Sequence, residues 1–450
     1  MNRRSFISNV LAAGSLAAIP RSAWSVVNDG RKPKVGLIGC GWFGNVNMDS
    51  MAKVAQLDIV SLCDPNERNL AATQESVKMR QGRAPATFSD YRKMLASIEH
   101  DIVIVGTPDH WHALPAIAAM QAGADVFLEK PISVDVMEGE AILAAARKYD
   151  RVVQVNLQRR NDPIFDEVRE QYLDTEKLGR IGLVECFFYG GGNGNVVSPV
   201  KVPSHLDYDL WAGPAPKVPY VPQIESRGWR MFQEYGNGTI GDMGVHIFDL
   251  VRSVMRLGWP GSVSSTGGRF VYKNATSNIS DTQNAVFHYP DLDVSWEHRH
   301  WGLSPIPQRH WTDQWGARII GEKGTLNLTT MSYAFQERGS RSLQGRHLLS
   351  RSNDLENVDF SRFDAAVGAN QDRHCLDFLQ ARETRTRPTS DIEEGHISSA
   401  CCILGNVALE LGRTIAYDPR TRSVTGDARA TEHLSRRYRE NWIHPDPSAV

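Results

Sequence analysis

The sequence predicts an α/β protein in which a doubly wound parallel sheet is followed by an α+β domain with a large, mostly antiparallel sheet. Short runs rich in valine, isoleucine and leucine, such as "KVGLIG", "DIVIVGTP" and "DVFLEKP", alternate with helix-length stretches, as parallel sheets require. That alternation stops near Asn156, and longer segments of alternating polarity follow, including "IGLVECFFYG" and "DVSWEHRH". A chain of 450 residues, 41% hydrophobic and 23% charged, has room for two or three domains.

Residues 1–25 look like a twin-arginine export signal. Arg3 and Arg4 are followed by "FISNVLAAGSLAAIP", an apolar stretch shorter than the roughly 20 residues of a membrane-spanning helix. Small residues flank a cleavage point after Ser25, and no cysteine nearby accepts a lipid. The alternative is an ordinary N-terminal helix that begins with two arginines. The signal predicts a periplasmic or otherwise exported protein. Because twin-arginine transport moves folded proteins, it would fold before export.

The composition gives no reason to expect a nucleic-acid or membrane partner. The net charge is -2 and the pI is about 6.7, so no basic surface is implied, and no later stretch is long enough for a stable membrane anchor. The six cysteines are too sparse for a disulfide scaffold and lack zinc-binding spacing. We predict buried, mostly unpaired cysteines, although an oxidising compartment would allow Cys401 or Cys402 to form a disulfide bond.

A glycine-rich turn follows the first predicted strand, within residues 33–157. In "GCGWFG", Gly39 permits a tight turn, Gly41 lets a phosphate approach the backbone, and Gly44 lets the helix pack on the sheet. Trp42 and Phe43 open that helix, whose N-terminus attracts anions. The turn therefore predicts a dinucleotide-binding Rossmann domain.

Asp64 ends the second predicted strand about twenty residues later, where a carboxylate accepts hydrogen bonds from the ribose hydroxyls of a dinucleotide. It would repel a 2′-phosphate, which favours NAD over NADP, while nearby Arg68 keeps NADP in consideration. An exported protein must carry its NAD out. Retention then needs a dissociation constant of about nanomolar or lower, near 12 kcal/mol.

Further candidate groups follow the later strands, whose carboxyl ends meet at one edge of a doubly wound sheet. "TPDHWH" contributes Thr107, Pro108, His110 and His112, and the two histidines are neutral hydrogen-bonding groups or packing residues. "EKP" contributes Glu129 and Lys130. We assign all of these to the cofactor site, with Lys130 also suited to acid/base chemistry.

Residues 158–450 form the predicted second domain and supply candidate substrate contacts. Asp242 and His246 are four residues apart in a helical stretch, hence on one face, where they could hold and polarise a hydroxyl. No third ligand with suitable spacing is evident, which disfavours a metal. Four other polar residues flank this region and are candidates to line the substrate cleft: Arg159, Arg160, Asn161 and Arg230.

"RHW" occurs twice, at residues 299–301 and 309–311. Indole faces stack on sugars, and arginine and histidine hydrogen-bond to hydroxyls, which favours a carbohydrate site. Tryptophan and arginine are also enriched where subunits meet, so a subunit contact is the alternative.

The motifs "GLIGCGWFG", "TPDHWH", "EKP" and "GDMGVHIFD", in this order, resemble the glucose-fructose oxidoreductase, inositol dehydrogenase and rhizopine-catabolism (Gfo/Idh/MocA) family. The resemblance implies that Lys130, Asp242 and His246 act on a sugar or polyol hydroxyl while hydride passes to nicotinamide. It also implies a homo-oligomer, dimer or tetramer, built by the second domain. Glucose-fructose oxidoreductase uses NADP, from which Asp64 departs.

Three hypotheses follow. The first is an exported NAD-retaining oxidoreductase acting on a sugar, glycoside or polyol hydroxyl. The second is a glycoside hydrolase that uses NAD in a transient oxidation cycle, as the family's N-acetylgalactosaminidases do, although the intact EKP lysine is closer to the dehydrogenases. The third is a non-catalytic sugar-binding protein of the same fold.

Overall fold

The computed structural model describes residues 31–191, 194–305, 310–439 and 441–450. The predicted signal peptide, residues 1–25, lies outside these described residues. The described chain contains two large sheets and the helices that cover them.

The first sheet is parallel and has the strand order β3-β2-β1-β4-β5-β6, which confirms the predicted doubly wound domain. Its order reverses between β1 and β4, so the crevice at their carboxyl ends is the expected ligand site. Its elements are β1 (Lys34–Ile38), α1 (Trp42–Val54), β2 (Asp58–Cys63), α2 (Glu67–Gln81), β3 (Ala86–Phe88), α3 (Tyr91–Ser97), β4 (Ile102–Val105), α4 (Ala113–Gln121), β5 (Asp125–Leu128), α5 (Val136–Lys148) and β6 (Val153–Val155).

The second sheet has eight strands in the order β14-β13-β12-β11-β7-β10-β9-β8. Only the pairing of β7 with β10 is parallel among these strands, which confirms the mostly antiparallel prediction. Its strands are β7 (Ile181–Tyr189), β8 (Ser262–Gly268), β9 (Thr282–His288), β10 (Asp293–Arg299), β11 (Trp315–Gly321), β12 (Gly324–Thr329), β13 (Ser332–Glu337) and β14 (Leu343–His347). A two-stranded ribbon, β15 (Tyr417–Asp418) and β16 (Ser423–Val424), follows near the C-terminal end.

The other described helices, some of which pack on the two large sheets, are α6 (Pro163–Val168), α7 (Tyr208–Ala212), α8 (Val245–Met255), α9 (Phe363–Thr384), α10 (Ile392–Leu411) and α11 (Ala428–Glu432). Phe248 on α8 packs on Phe287 of the second sheet with ring centroids 4.4 Å apart. Phe378 on α9 packs on Phe127 of the first sheet at 5.5 Å. The C-terminal half therefore returns to the first domain, and the boundary at residue 158 stays a prediction.

All six cysteines are buried and unpaired, as predicted, and Cys401 and Cys402 both lie within α10. Burial raises the pKa of the Cys375 and Cys402 thiols above its ordinary value. Among the described helices, none has the length and apolar character needed to cross a bilayer.

Candidate active site

The glycine turn after β1 has the geometry of a phosphate-binding loop. Gly39 has φ +93°, and a Cβ on Gly44 would lie 2.0 Å from the Gly39 carbonyl oxygen. A Cβ on Gly41 would instead meet no atom within 4 Å, and no side chain caps the start of α1. The open space beside Gly41 and the uncapped helix N-terminus fit a dinucleotide pyrophosphate.

Asp64 stands at the end of β2, against the same turn. Its Oδ2 accepts a hydrogen bond from the Cys40 backbone N–H at 2.8 Å, and its Oδ1 accepts one from the Asn66 N–H at 2.8 Å. Burial raises the pKa of Asp64 to about 6, while these hydrogen bonds oppose the rise. Asp64 lines the cleft as predicted. Arg68 is exposed and is not among the described residues lining the cleft, so the cofactor contact predicted for it is not supported.

The cleft in front of this turn encloses about 1080 Å³ of empty space, including open solvent. One wall is the carboxyl edge of the first sheet, and the other is the segment 205–230, here named the outer wall. Glu225 accepts a hydrogen bond from Asn66 Nδ2 at 2.8 Å, and the Arg227 guanidinium lies 3.8 Å from the Trp42 ring centroid. These two contacts join the outer wall to the N-terminal ends of α2 and α1.

The preference for NAD over NADP should depend on pH. Above about pH 6 the Asp64 carboxyl is ionised and repels a 2′-phosphate; below that pH it is protonated and the repulsion weakens. We expect NAD to bind about 100-fold more tightly than NADP at pH 8 and only about tenfold at pH 5. Calorimetric titration of nucleotide-free protein measures both constants. Asp64→Asn is the control for titration of the phosphate itself, and an equal pH dependence in that variant would contradict the prediction.

Thr107 and Pro108 line the cleft. His110 and His112 instead contact backbone carbonyl oxygens of neighbouring segments. His110 Nε2 lies 3.0 Å from the Trp211 carbonyl oxygen, and His112 Nδ1 lies 2.6 Å from the Pro131 carbonyl oxygen. Burial lowers the pKa of each to about 4, which agrees with the predicted neutral state. Neither lines the cleft among the described residues, so the structure favours packing over the predicted cofactor contact.

Glu129 is a buried anchor at the end of β5. Its Oε1 accepts hydrogen bonds from Asn47 Nδ2 at 2.6 Å and Asn156 Nδ2 at 2.5 Å. Its Oε2 accepts one from the Lys130 backbone N–H at 3.2 Å. Burial raises the pKa of Glu129, and these donors oppose the rise. Glu129 therefore fixes the backbone from which Lys130 extends; the following Lys130–Pro131 peptide bond is cis.

Lys130, Asp242 and Arg230 form one ion-pair cluster. Lys130 Nζ donates to Asp242 Oδ1 at 2.8 Å and to the Asp242 carbonyl oxygen at 2.7 Å. Arg230 Nε lies 3.1 Å from the same Oδ1. Burial disfavours the Asp242 carboxylate, but the Lys130 and Arg230 charges hold its pKa well below its usual range. The structure thus joins three of the predicted site residues beside the cofactor cleft.

His246 follows Asp242, but the intervening backbone is a π-helical turn, Ile240–Gly244, rather than the predicted regular helix. Its ring lies 5.5 Å from the Trp315 ring centroid, and its Nδ1 is buried without a hydrogen-bond partner among the described residues. Burial lowers the pKa of His246 well below its ordinary value, as do the nearby charges of Lys130, Arg159 and Arg230. His246 is therefore a neutral imidazole with a free ring nitrogen.

Asp109 is a site residue that the sequence reasoning missed. Its side chain is buried and lines the cleft. Burial raises its pKa to about 8, while the Arg230 and Lys130 charges oppose the rise. The only signal in the sequence was its place in "TPDHWH", where an aspartate before a helix is ordinarily a cap.

Asp109→Asn should stabilise the protein at high pH. The folded pKa of about 8 exceeds the unfolded value of about 3.9, so the folded state holds a proton that the unfolded state loses. Stability that is complete below about pH 4 is therefore lost as pH rises through 8. We expect the variant's melting temperature to match wild type near pH 4.5 and to exceed it at pH 9. A difference that is equal at both pH values would contradict the burial of a protonated Asp109.

The three polar residues after β6 separate in the structure. Arg160 donates to Asp249 through Nε at 2.9 Å and Nη2 at 2.7 Å, and the Asn161 amide lies 2.5 Å from His374 Nδ1. Both are therefore occupied in packing α8 and α9, a placement that does not support their prediction as substrate contacts. Arg159 instead stacks on Trp315, with its Cζ 4.4 Å from the ring centroid.

The two "RHW" segments also differ. Arg299 pairs with Glu297 at 2.6 Å, and Trp301 Nε1 donates to Thr282 Oγ1 at 2.8 Å. Arg309 lies outside the described residues. Trp311 is 48% exposed and stacks on Trp315 at 6.2 Å. The second segment thus extends the aromatic surface beside His246.

A group of potential metal ligands lies away from Asp242 and His246. Asp135, Glu138 and His444 have ligand atoms within 4.8 Å of one another. His444 Nε2 lies 2.9 Å from Asp135 Oδ2, and the Tyr438 hydroxyl donates to Glu138. These contacts already satisfy the group, and they fasten the C-terminal segment to the start of α5.

The fold and this site together define an NAD-binding oxidoreductase that acts on CH–OH groups. The family description "Oxidoreductase family, NAD-binding Rossmann fold" matches residues 33–157, and "Oxidoreductase family, C-terminal alpha/beta domain" matches residues 178–258 and 357–444. The chain belongs to the Gfo/Idh/MocA family of oxidoreductases.

Similar proteins include dehydrogenases and glycosidases. An uncharacterized oxidoreductase, YrbE, of Bacillus subtilis is 23% identical over 77% of this chain and 90% of its own length. An inositol 2-dehydrogenase of Salmonella typhimurium is 25% identical over 45% of this chain and 55% of its own length. An alpha-N-acetylgalactosaminidase of Shewanella oneidensis is 27% identical over 35% and 37%.

A solved structure of levoglucosan dehydrogenase with NADH and levoglucosan has the same fold. Its TM-score is 0.64 at 16% identity, and the match covers 86% of this chain and 99% of that one.

Proposed function

We propose that this protein is an exported oxidoreductase that keeps its NAD bound and oxidises a hydroxyl carbon of a sugar, glycoside or polyol. The observation that carries the proposal is the ion-pair cluster of Lys130, Asp242 and Arg230 at a cleft with a dinucleotide-binding turn. The inositol and levoglucosan dehydrogenases among its relatives support the substrate class.

The site residues divide the chemistry between them. A bound nicotinamide would supply the hydride acceptor. Asp242 fixes the Lys130 ammonium through two of its three N–H groups, which leaves one to hold the substrate hydroxyl. His246 would receive the hydroxyl proton, because its Nδ1 has no hydrogen-bond partner among the described residues. Lys130 then stabilises the negative charge that develops on the oxygen.

The cofactor would be held by the turn at residues 39–44, by Asp64 and by the outer wall. Export and retention are linked, because a protein that leaves the cytoplasm takes its dinucleotide with it. The fastening of the outer wall at Asn66 and Trp42 supports slow release.

A direct test starts from protein purified from the exported fraction. Denaturation should release stoichiometric NAD, and adding sugars and polyols to the intact protein should produce the absorbance of reduced nicotinamide. Replacing Arg3 and Arg4 with lysine should leave the protein in the cytoplasm. A protein that releases no nucleotide, or that reduces none across the panel, would contradict the proposal.

A glycoside hydrolase that uses NAD transiently is the second candidate, favoured by the similarity to an alpha-N-acetylgalactosaminidase. That match covers 37% of the glycosidase, so the similarity reaches only part of its length. The two functions differ in product. Hydrolysis releases free reducing sugar without net reduced nicotinamide, whereas oxidation accumulates reduced nicotinamide.

We also propose a homo-oligomer, dimer or tetramer, built through the eight-stranded sheet. Light scattering of the purified protein measures its mass, and a monomer at all concentrations would contradict this.

A further inference from the structure

Arg159 carries a positive charge without a described ion-pair partner, on a partly buried side chain. Its Nε and Nη1 atoms are buried with no hydrogen-bond partner among the described residues, and no described carboxylate lies within the 4.0 Å that defines an ion pair with it. Burial lowers its pKa to about 10, so it remains protonated at neutral pH. Buried guanidinium N–H groups without acceptors are costly, which makes this arrangement unusual for a purely structural arginine.

The nearest carboxylates are occupied by other groups. Asp249 is held by Arg160 Nη2 at 2.7 Å and by the Ser398 hydroxyl at 2.7 Å. Asp162 caps α6 by accepting from the Ile164 N–H at 3.3 Å and faces Arg373 at 4.0 Å. The face of Trp315 stabilises the Arg159 cation, but it provides no acceptor for the guanidinium N–H groups.

Arg159 lies beside His246, and neither residue lines the cofactor cleft among the described residues. It shares Trp315 with His246, since the guanidinium Cζ and the imidazole centroid lie 4.4 Å and 5.5 Å from that indole. Its charge also acts on His246 together with the charges of Lys130 and Arg230. Three positive charges therefore act on His246. Asp242 pairs with two of them, Lys130 and Arg230. The nearby Asp109 is protonated below about pH 8 and adds no negative charge there.

We propose that the substrate is an acidic sugar whose carboxylate binds Arg159 while its reacting hydroxyl meets Lys130 and His246. This inference rests on the proposed function and narrows its substrate class to uronic acids. A carboxylate supplies the negative charge and the acceptor oxygens that the planar guanidinium lacks. The carboxylate also orients the substrate, because Arg159 binds one end while the reacting hydroxyl at the other end lies at Lys130 and His246.

The test compares matched ligands on the NAD-loaded protein. D-Glucuronate is paired with D-glucose and D-glucuronamide, and D-galacturonate with D-galactose. Calorimetric titration reports binding, and absorbance reports nicotinamide reduction. We expect a uronate to bind at least about 30-fold more tightly than its amide. Arg159→Gln should reduce that ratio to about threefold or less, and Arg159→Lys should restore part of it.

Arg180→Gln is the matched control, because that side chain is 93% exposed, and its ratio should equal wild type. If no uronate binds more tightly than its neutral partners, or if Arg159→Gln weakens both equally, the inference is overturned. Should Arg159→Gln fail to fold, the wild-type ligand ratio alone decides. Neutral sugars that reduce nicotinamide when uronates do not would overturn the inference and leave the proposed function standing. Arg159-dependent uronate binding without reduction would overturn the proposed function, and with it uronates as substrates, and would leave only the carboxylate contact with Arg159 standing.

Discussion

Replacing Lys130 with alanine is expected to lower kcat for nicotinamide reduction by at least about 10³-fold while NAD stays bound. Lys130 Nζ is the group that Asp242 holds at 2.8 Å, and no other ammonium reaches that carboxylate among the described residues. Arg230 still neutralises Asp242 at 3.1 Å, so the variant should fold. Single-turnover absorbance after substrate addition measures the loss.

Two controls separate chemistry from folding in the Lys130→Ala experiment. Lys78→Ala removes an ammonium that is 55% exposed on α2, and it should retain wild-type turnover. Nucleotide released on denaturation should be equal in wild type and both variants. Unchanged turnover in Lys130→Ala would show that the roles of Lys130 and Asp242 have been assigned wrongly.

Replacing Gly41 with alanine should remove the cofactor without unfolding the protein. A Cβ at Gly41 meets no protein atom within 4 Å, and its φ of -73° suits alanine. The methyl group would therefore occupy only the space assigned to the pyrophosphate. We expect NAD affinity to fall by at least about 100-fold, with the melting temperature of nucleotide-free protein unchanged.

Gly44→Ala is the contrasting variant for that experiment. Its Cβ would lie 2.0 Å from the Gly39 carbonyl oxygen, so the turn itself must move and the nucleotide-free protein should melt earlier. If Gly41→Ala retained wild-type affinity, the dinucleotide would have to bind elsewhere than at this turn.

The fold was predictable because its signals are local. Parallel strands are buried on both faces and form continuous apolar runs, and the glycine motif spans only six residues, 39–44, where β1 leads into α1. The meeting of Lys130 and Asp242, 112 positions apart, was predicted only because strand ends converge and because the four motifs matched a known family.

What the sequence reasoning missed depends on tertiary contacts. Arg160 and Asn161 look like their neighbour Arg159, yet only the packing of α8 and α9 shows that Asp249 and His374 occupy them. The role of Asp109 depends on burial beside Arg230 and Lys130. The return of α9 to the first sheet brings together residues as distant as Phe127 and Phe378, which no periodicity in the sequence indicates.

The outer wall has a kinetic consequence. It carries its own small aromatic core, which includes Trp211, Tyr220 and Trp229, so we expect it to move away from Asn66 and Trp42 either as one unit or not at all. We then expect each molecule to alternate between two half-reactions, in which one compound reduces the retained dinucleotide and a second compound reoxidises it. Dinucleotide added to the medium would not quicken the cycle, and a stalled molecule would restart only when a suitable oxidant reached it.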